Sequence, residues 1–573
     1  MAETRGSAQG KDLPLPSGCE SDPDAANVSN TYFATRPEKL REAIVVPDAI
    51  SSPPDQVNRR SSCSFAFQPV GVAPVRAALR ALQPSPARGV DEIPITVLKA
   101  GWAALALPLT HLINTIVAAA TWPSAWKEAR VVPDHKPGKK PTEVASYRPV
   151  ALVPAISKIV EKVRHQQLSD HVEQQGLLPS DQHGFRPGRG VDTALAAVTD
   201  RLVATKENGN LRCVLASYDF TAAFDTLDPE RLILKMPWLA PNSKVLIRSY
   251  LSDRSQRVVW NGSTSKRLPI PFGVPQGSVL GPLLFTIFTS DLPAFLHAFK
   301  KAPGVAVEPN LYADDTSCVI TAPTTEDAAS AFTSISTALT MYSSTNMLSL
   351  NTDKTRALHL DYRSDSPVLL LLGTHIDGRL SFSHHHDRTL RDVWARIAVI
   401  RRLRGVISRG PLLKAAARAL VLGRMQCSAW VTHRIRITPN ESISRDSRDA
   451  QVAINDLARV LLGASRKQHL RVQDLLNRAS LPTINQIVCQ QAGVAAWRAV
   501  KQPDSSPLSK LLTPFDARTR SAAADLVKAL HPTCVASANM CRVWNECPEL
   551  RAAGSLSMAR VWARQFAHTV CFF

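Results

Sequence analysis

The sequence predicts an α+β protein, a mixed helix-and-strand region followed by a helical part. Three observations predict it. From Val75 onward, apolar residues at helical spacing alternate with short β-prone runs, without a long linker until about residue 500. The runs starting at Cys213 and at Cys318-Val319-Ile320 are strand-like and adjoin acidic turns. Beyond residue 379 helical stripes take over: Leu390, Val393, Trp394, Ile397, Ile400 and Leu403, then Leu413, Ala416, Ala417, Leu420 and Val421. At about 150 residues per domain, 573 residues make three or four structural units.

Taken in order, residues 1–65 are rich in Ser, Pro, Asp and Ala, lack periodicity, and read as a disordered leader. The stretch Ala100 to Thr121 is apolar but interrupted by Pro108, His111 and Asn114, too polar for a spanning helix. Asp228-Pro229 reads as a helix N-cap followed by proline at the first helical position, a structural acid. Gln502 to Leu508 reads as a loop. The ten cysteines are scattered without a CxxC pair, and the Cys534, Cys541, Cys547 group has no zinc spacing, so thiols in an intracellular protein are expected.

Charge narrows the function. With 68 Lys+Arg against 48 Asp+Glu, the net charge is +20, and a polyanionic partner is expected. No signal peptide or lipidation motif favours a membrane. The excess is local: residues 379–471 hold 19 Lys+Arg and 6 Asp+Glu, a surplus of 13, whereas residues 1–65 hold 7 basic and 9 acidic residues. Arg388, Arg391 and Arg402 fall off the apolar stripe, giving basic helix faces suited to a nucleic-acid backbone, with a merely solvated face as the alternative.

Two acidic clusters carry the chemistry. A β-prone run delivers Asp219 at its end, in Tyr218-Asp219-Phe220-Thr221-Ala222-Ala223-Phe224-Asp225. Tyr312-Ala313-Asp314-Asp315 lies between short strands and reads as a hairpin tip. Acids on neighbouring strands can share divalent cations, and hard oxygen donors suit Mg²⁺ bound to substrate phosphates. Asp225 reads more as a structural acid. His384-His385-His386-Asp387 is discounted as a metal site, because three consecutive side chains do not converge on one ion, and a polar surface is expected there.

These residues carry a family resemblance. Tyr312-Ala313-Asp314-Asp315 and the Asp219 segment resemble the acidic motifs of reverse transcriptases, and Gly273-Val274-Pro275-Gln276-Gly277-Ser278-Val279-Leu280-Gly281-Pro282-Leu283-Leu284-Phe285 resembles the motif between them. Ser146-Tyr147-Arg148-Pro149-Val150-Ala151-Leu152 and Gln182-His183-Gly184-Phe185-Arg186-Pro187-Gly188-Arg189 are similar to fingers motifs of non-LTR, jockey-like (LINE) retrotransposon enzymes. Leu350-Asn351-Thr352-Asp353-Lys354-Thr355 resembles their fourth palm motif, and Leu372 to Phe382 their thumb entry.

The resemblance implies a right-hand polymerase of fingers, palm and thumb with a mixed α/β palm, acting as an RNA-directed DNA polymerase. Two Mg²⁺ ions, with Mn²⁺ as an alternative, are implied on Asp219, Asp314, Asp315 and the Phe220 carbonyl. Phe224 falls at the steric gate against a ribose 2′-OH, and Gln276 and Gly277 at the pocket of the incoming base pair. Tyr312 and Ala313 border the primer terminus. Arg148, Lys136 and Lys158 are the candidates for holding the triphosphate, and Lys354 for protonating pyrophosphate. Val279, Leu280, Leu283, Leu284 and Ile287 are expected in the core.

The expected organisation is a leader over 1–65, fingers and palm over 66–375, a basic helical thumb over 376–471 and a helical C-terminal extension over 472–573. Expected partners are an RNA template, a DNA primer, the RNA–DNA hybrid, dNTPs and the element RNA as a ribonucleoprotein in nucleus and cytoplasm, with no membrane. The 65 residues ahead of the fingers are too few for an endonuclease, and no RNase H pattern or Cys/His knuckle follows. Arg356 to Phe382 looks compressed for a thumb entry. That compression supports the alternative of an inactive remnant that only binds nucleic acid. A group II intron or telomerase type fits the wording of the motifs less well.

Overall fold

The computed structural model describes residues 12–44, 64–299, 303–360, 367–407, 410–438, 440–515 and 525–570. Helices and strands are mixed, as the α+β reading expects, and two compact units emerge. The first comprises Met1–Phe185, Asp219–Phe299 and Ile335–Lys354. The second comprises Arg186–Tyr218, Lys300–Ser334 and Thr355–Phe573. Among the described residues no helix is long and apolar enough to cross a membrane.

In the first unit, Glu128–His135 is the central strand. It pairs antiparallel with Tyr147–Leu152, placing Asp134 opposite Arg148, and parallel with Arg254–Trp260. Ala129, Val131, Tyr147, Ala151, Val258 and Trp260 form one buried face. The helix Gly281–Phe288 is apolar almost all round and mostly enclosed, with Leu280, Leu283, Leu284 and Ile287 buried as expected, whereas Val279, expected with them, is only half-buried because it precedes the helix in the loop.

The disordered leader expected over residues 1–65 is corrected here. Asp22–Glu42 is a 21-residue helix, N-capped by Ser21. Its Ala25, Ala26 and Phe33 join the buried face of the sheet. Polar clasps fix it: Asn30 donates to the Lys266 carbonyl at 2.7 Å and accepts from Gln256 at 3.0 Å, and Asn261 donates to the Leu13 carbonyl at 2.9 Å. Nearby sequence carries no trace of these contacts, because every partner lies more than 220 positions away. Residues 1–11 and 45–63 lie outside the described residues.

In the second unit, a four-stranded antiparallel sheet runs Arg356–His359, Arg212–Tyr218, Asp315–Ala322, Ala306–Tyr312 in spatial order. The helix Val191–Asn208 covers it with Leu195, Val198 and Leu202 and ends at Gly209, whose φ of 68° suits a left-handed cap. One hydrophobic core then continues from the sheet (Cys213, Leu215, Val319) through Val393, Ile397 and Ile400 to Leu457, Ile487 and Val543. The division expected at 471/472 is therefore not a break in packing: helices on both sides of it share that core. The compressed stretch also contributes, through Leu358, Leu369, Leu371, Ile376 and Phe382; its residues 361–366 lie outside the description.

The helix Ser383–Val406 buries Val393, Ile397 and Ile400 and leaves Arg388, Arg391 and Arg402 exposed, as its periodicity predicts. Trp394, placed on the apolar stripe, sits at its exposed edge. The polar surface expected at His384-His385-His386 is corrected: His385 and His386 are buried, and His386 stacks on His433 with ring centres 4.2 Å apart. His386 Nδ1 lies 2.9 Å from the Asp446 carboxylate, while burial pushes the His385 and His433 imidazoles down to about 3. Among the described residues no group of three His, Cys, Asp or Glu side chains is arranged to hold a metal ion.

Candidate active site

In the first unit, Asp219 opens a segment whose next residues form a short antiparallel pairing, Phe220 with Leu350 and Thr221 with Ser349. The Asn351 N–H donates to the Asp219 carbonyl at 2.8 Å. The turn Thr352–Lys354 then brings the Lys354 ammonium within 2.8 Å of an Asp219 carboxylate oxygen. Sequence reading gave these two residues separate roles; the structure joins them as an ion pair.

The chain next reverses at Ala222, whose φ is 50°, into the single helical turn Ala223–Thr226. Phe224 is half-buried, stacked on Phe285 at 4.7 Å and edge-on to Phe185 at 6.4 Å. Phe185 is a contributor that sequence reasoning missed; its one signal was its place in the Gln182–Arg189 motif. Gly273, at φ +87°, lies directly over this turn: a Cβ there would meet the Asp225 and Phe224 carbonyl oxygens at 2.6 and 2.7 Å. The Val274 N–H donates to the Phe224 carbonyl at 2.8 Å. Gly277, at φ +119°, has the same need, with the Ala151 carbonyl oxygen 2.6 Å from a would-be Cβ. At both glycines the close neighbour is the protein's own backbone.

Gln276 donates from Nε2 to the Asp225 carboxylate at 2.7 Å, and its carbonyl accepts from the Ala151 N–H at 2.7 Å. Burial pushes the Asp225 carboxyl up to about 6, against the Gln276 hydrogen bond and the charges of Arg36 and Lys136. An ordinary Asp titrates near about 3.9. Between those values the folded chain binds more protons than the unfolded one, so this group's contribution falls as pH rises from about 4 to about 6. Asp225→Asn is expected to gain up to about 3 kcal/mol over wild type above pH 6 and nothing below pH 4. Melting temperatures of both proteins across that range check it, and a gain independent of pH contradicts it.

The four cationic candidates divide. Lys136 donates to the Ala145 carbonyl at 2.8 Å, and its pKa is lowered by burial and then by the charges of Arg36, Arg148, Lys354 and Lys139. Arg148 is exposed on the adjoining strand. Lys136, Arg148 and Lys354 are therefore electrostatic neighbours, joined by Arg36 from the N-terminal helix, which sequence reading left in the leader. Lys158 is different: burial lowers its pKa and the one charge raising it is that of Glu161. Glu161, also missed, is fully buried and accepts from the N–H groups of Val279 and Leu280 at 2.6 and 3.2 Å, fixing the loop ahead of Gly281–Phe288.

In the second unit, Ala306–Tyr312 and Asp315–Ala322 form the expected hairpin, with Tyr312 opposite Asp315 and Ala313-Asp314 at its tip. Ala313 is buried at φ 58°, a left-handed conformation that turns the chain tightly. Asp314 is half-exposed and Asp315 exposed. The Tyr312 hydroxyl is pushed up by burial, then by Asp192 and Asp315. On the neighbouring strand Tyr218, which precedes Asp219 in the chain, pairs with Thr316, which follows Asp315. The donors at Asp219, Asp314 and Asp315 are accessible carboxylate oxygens, and Asp219 already holds a cationic group. That chemistry fits a hard divalent cation, which binds one or two carboxylates plus substrate phosphates and needs no closed protein cage.

The first unit thus carries a strand-end acid and a glycine-pinned aromatic turn, and the second unit a two-residue acidic hairpin tip. Residues 135–386 match the family model of reverse transcriptase (RNA-dependent DNA polymerase). The chain is 28% identical over 394 residues, 66% of its length and 43% of the relative's, to the "Probable RNA-directed DNA polymerase from transposon BS" of Drosophila melanogaster. It is 28% identical over 382 residues (64% and 41%) to that from transposon X-element of the same species. It is 37% identical over 186 residues (32% and 20%) to its "RNA-directed DNA polymerase from mobile element jockey". The resemblance to non-LTR retrotransposon enzymes thus holds, and the chain spans less than half the length of these relatives.

Proposed function

We propose that the chain is the RNA-directed DNA polymerase of a non-LTR retrotransposon, built as a right hand and adding deoxynucleotides to a primer 3′-OH on an RNA template. The observation that carries this is that the 135–386 match contains Asp219, Asp314, Asp315, Phe224 and the Gly273–Phe285 motif together. Asp219, Asp314 and Asp315, with the Phe220 carbonyl, would hold two divalent ions, Mg²⁺ in the first instance. Such ions supply charge to the phosphates and acidify the attacking hydroxyl.

The chain's own residues do the rest. Arg148 and Lys136 bind the triphosphate, where positive charge both positions and neutralises it. Lys354 releases Asp219 and donates a proton from Nζ to the departing pyrophosphate oxygen. Gln276 and Gly277 shape the base-pair pocket through their tie to Asp225 and Ala151, and Tyr312 and Ala313 border the primer end. The exposed basic face of Ser383–Val406 grips the RNA–DNA hybrid, and the element RNA is the template carried as a ribonucleoprotein.

Incorporation of labelled dNTPs on a DNA-primed RNA template tests the reading; purified, folded chain that adds no nucleotide with Mg²⁺ or Mn²⁺ sinks it. A second expected outcome concerns sugar choice. Phe224→Ala removes the ring that would meet a ribose 2′-OH, so the dNTP-over-rNTP preference falls roughly 100-fold, the equivalent of about 2.7 kcal/mol. Single-nucleotide kcat/KM ratios measure it, and an unchanged ratio removes the gate assignment.

A further inference from the structure

We propose that a cavity in the C-terminal part of the second unit binds a phosphate-bearing nucleotide of a single nucleic-acid strand. The cavity measures about 320 Å³ and lies among the first turn of Val191–Asn208, Trp430, the helix Ile484–Lys501 and the helix Leu556–Val570. The last two helices cross closely, because Gly493 has no side chain: a Cβ there would lie 2.9 Å from that of Ala563. Their crossing brings Arg498 to the same cavity as Arg560 and Arg564.

Arg560 and Arg564 are exposed and one helical turn apart, a like-charged i,i+4 pair that is unfavourable by itself. Arg498 is half-buried, and its pKa is lowered by burial and then by Arg560. Among the described residues none of the three arginines forms an ion pair. Asp192, the one acid lining the cavity, is engaged by the Trp430 side chain and the Ser428 backbone, and burial raises its pKa. Three guanidiniums therefore face a space that one buried carboxyl does not neutralise. Guanidinium forks match phosphate oxygens in charge and geometry.

The remaining lining points beyond a bare anion. Gln490 and Gln491 present side-chain amides, and Gln491 donates to the Gln426 carbonyl at 2.9 Å while its Oε1 is buried without a partner. A buried acceptor left unmet is costly, and an exocyclic amino group of a base is a donor of the right kind. The volume exceeds that of a phosphate, a water occupying about 30 Å³, and falls in the range of small-ligand sites. Arg560 and Arg564 are exposed where they line the cavity, open to a second phosphate from solvent, which favours a strand over a free nucleotide. None of these residues belongs to the proposed polymerase site, so the two readings can fail separately.

Fluorescence anisotropy with a labelled 12-nucleotide strand, RNA or DNA, tests the proposal on the full chain without requiring catalysis. Arg498→Ala/Arg560→Ala/Arg564→Ala is expected to weaken binding at least 30-fold and to reduce the salt slope by about 2, at roughly 0.7 per phosphate contact. Arg560→Gln/Arg564→Gln touches only exposed side chains, so folding is kept, and the slope should fall by about 1.4. Crosslinks from a 4-thiouridine strand should map to residues 484–501 or 556–570 in wild type and disappear in the triple variant. Unchanged affinity and slope in the double variant, or crosslinks confined elsewhere, overturn it. Saturation by 5′-AMP with no effect of the double variant on strand binding also overturns it, in favour of a free-nucleotide site.

Discussion

Asp219→Asn and Asp314→Asn are each expected to lower kcat for nucleotide addition by at least about 10³-fold while leaving template–primer affinity within a few-fold of wild type. A carboxylate that helps hold a catalytic cation contributes several kcal/mol of charge stabilisation, and about 4 kcal/mol corresponds to that factor. Asp315→Asn should cost less, because Asp315 is exposed and starts the strand opposite Tyr312. Folding is not at stake at Asp219: its carboxylate is about a quarter exposed and bonds to Lys354, itself mostly exposed. Lys354→Ala discriminates further. It should slow the release step and depress kcat with little change in the KM for dNTP, whereas a purely structural lysine would alter neither. Equal kcat for wild type and Asp314→Asn contradicts the assignment of the hairpin tip.

The second large effect is structural. Gly273→Ala is expected to destabilise the first unit by about 3 kcal/mol or more, because a left-handed φ is joined to a collision with two carbonyl oxygens of the Phe224–Asp225 turn. Those oxygens are backbone atoms and cannot swing aside. Gly262→Ala is the control: its φ is +92°, but nothing lies within 4 Å of a would-be Cβ, so only the backbone cost, about 1 kcal/mol, should appear. Denaturant midpoints of the two variants separate collision from conformation. Equal losses would mean that the loop does not press on the turn. Where Gly273→Ala still folds, a displaced Phe224 should also weaken sugar discrimination.

Local chemistry accounts for what was legible in the sequence. The 312–315 tip was readable because two short β-prone runs flank two acids, and hairpin geometry is set by neighbours in sequence. Asp228 was readable for the same reason: it accepts from the Glu230 and Arg231 N–H groups at the head of Pro229–Leu234. The Asp22–Glu42 helix was not readable, because its apolar residues are few and the Gln256 side chain and Lys266 backbone groups hold it in place. Glu161 looked like any helical acid until its partners at 279 and 280 were known. The buried histidines misled for a related reason: a polar run next to a basic helix says nothing about Asp446 and His433, which fold over it from later in the chain. Motif residues proposed to act on substrate are legible by their order. Residues that hold them in place are legible only once distant segments meet.

The central claim is that Asp219 and the Asp314–Asp315 tip serve one pair of divalent ions. Electron paramagnetic resonance counting of Mn²⁺ bound to the chain, with an RNA template, a dideoxy-terminated primer and the next dNTP, tests it most directly. The account predicts two ions per chain for wild type and a loss of bound metal in both Asp219→Asn and Asp314→Asn. Undiminished metal binding in the Asp219→Asn/Asp314→Asn double variant would contradict it.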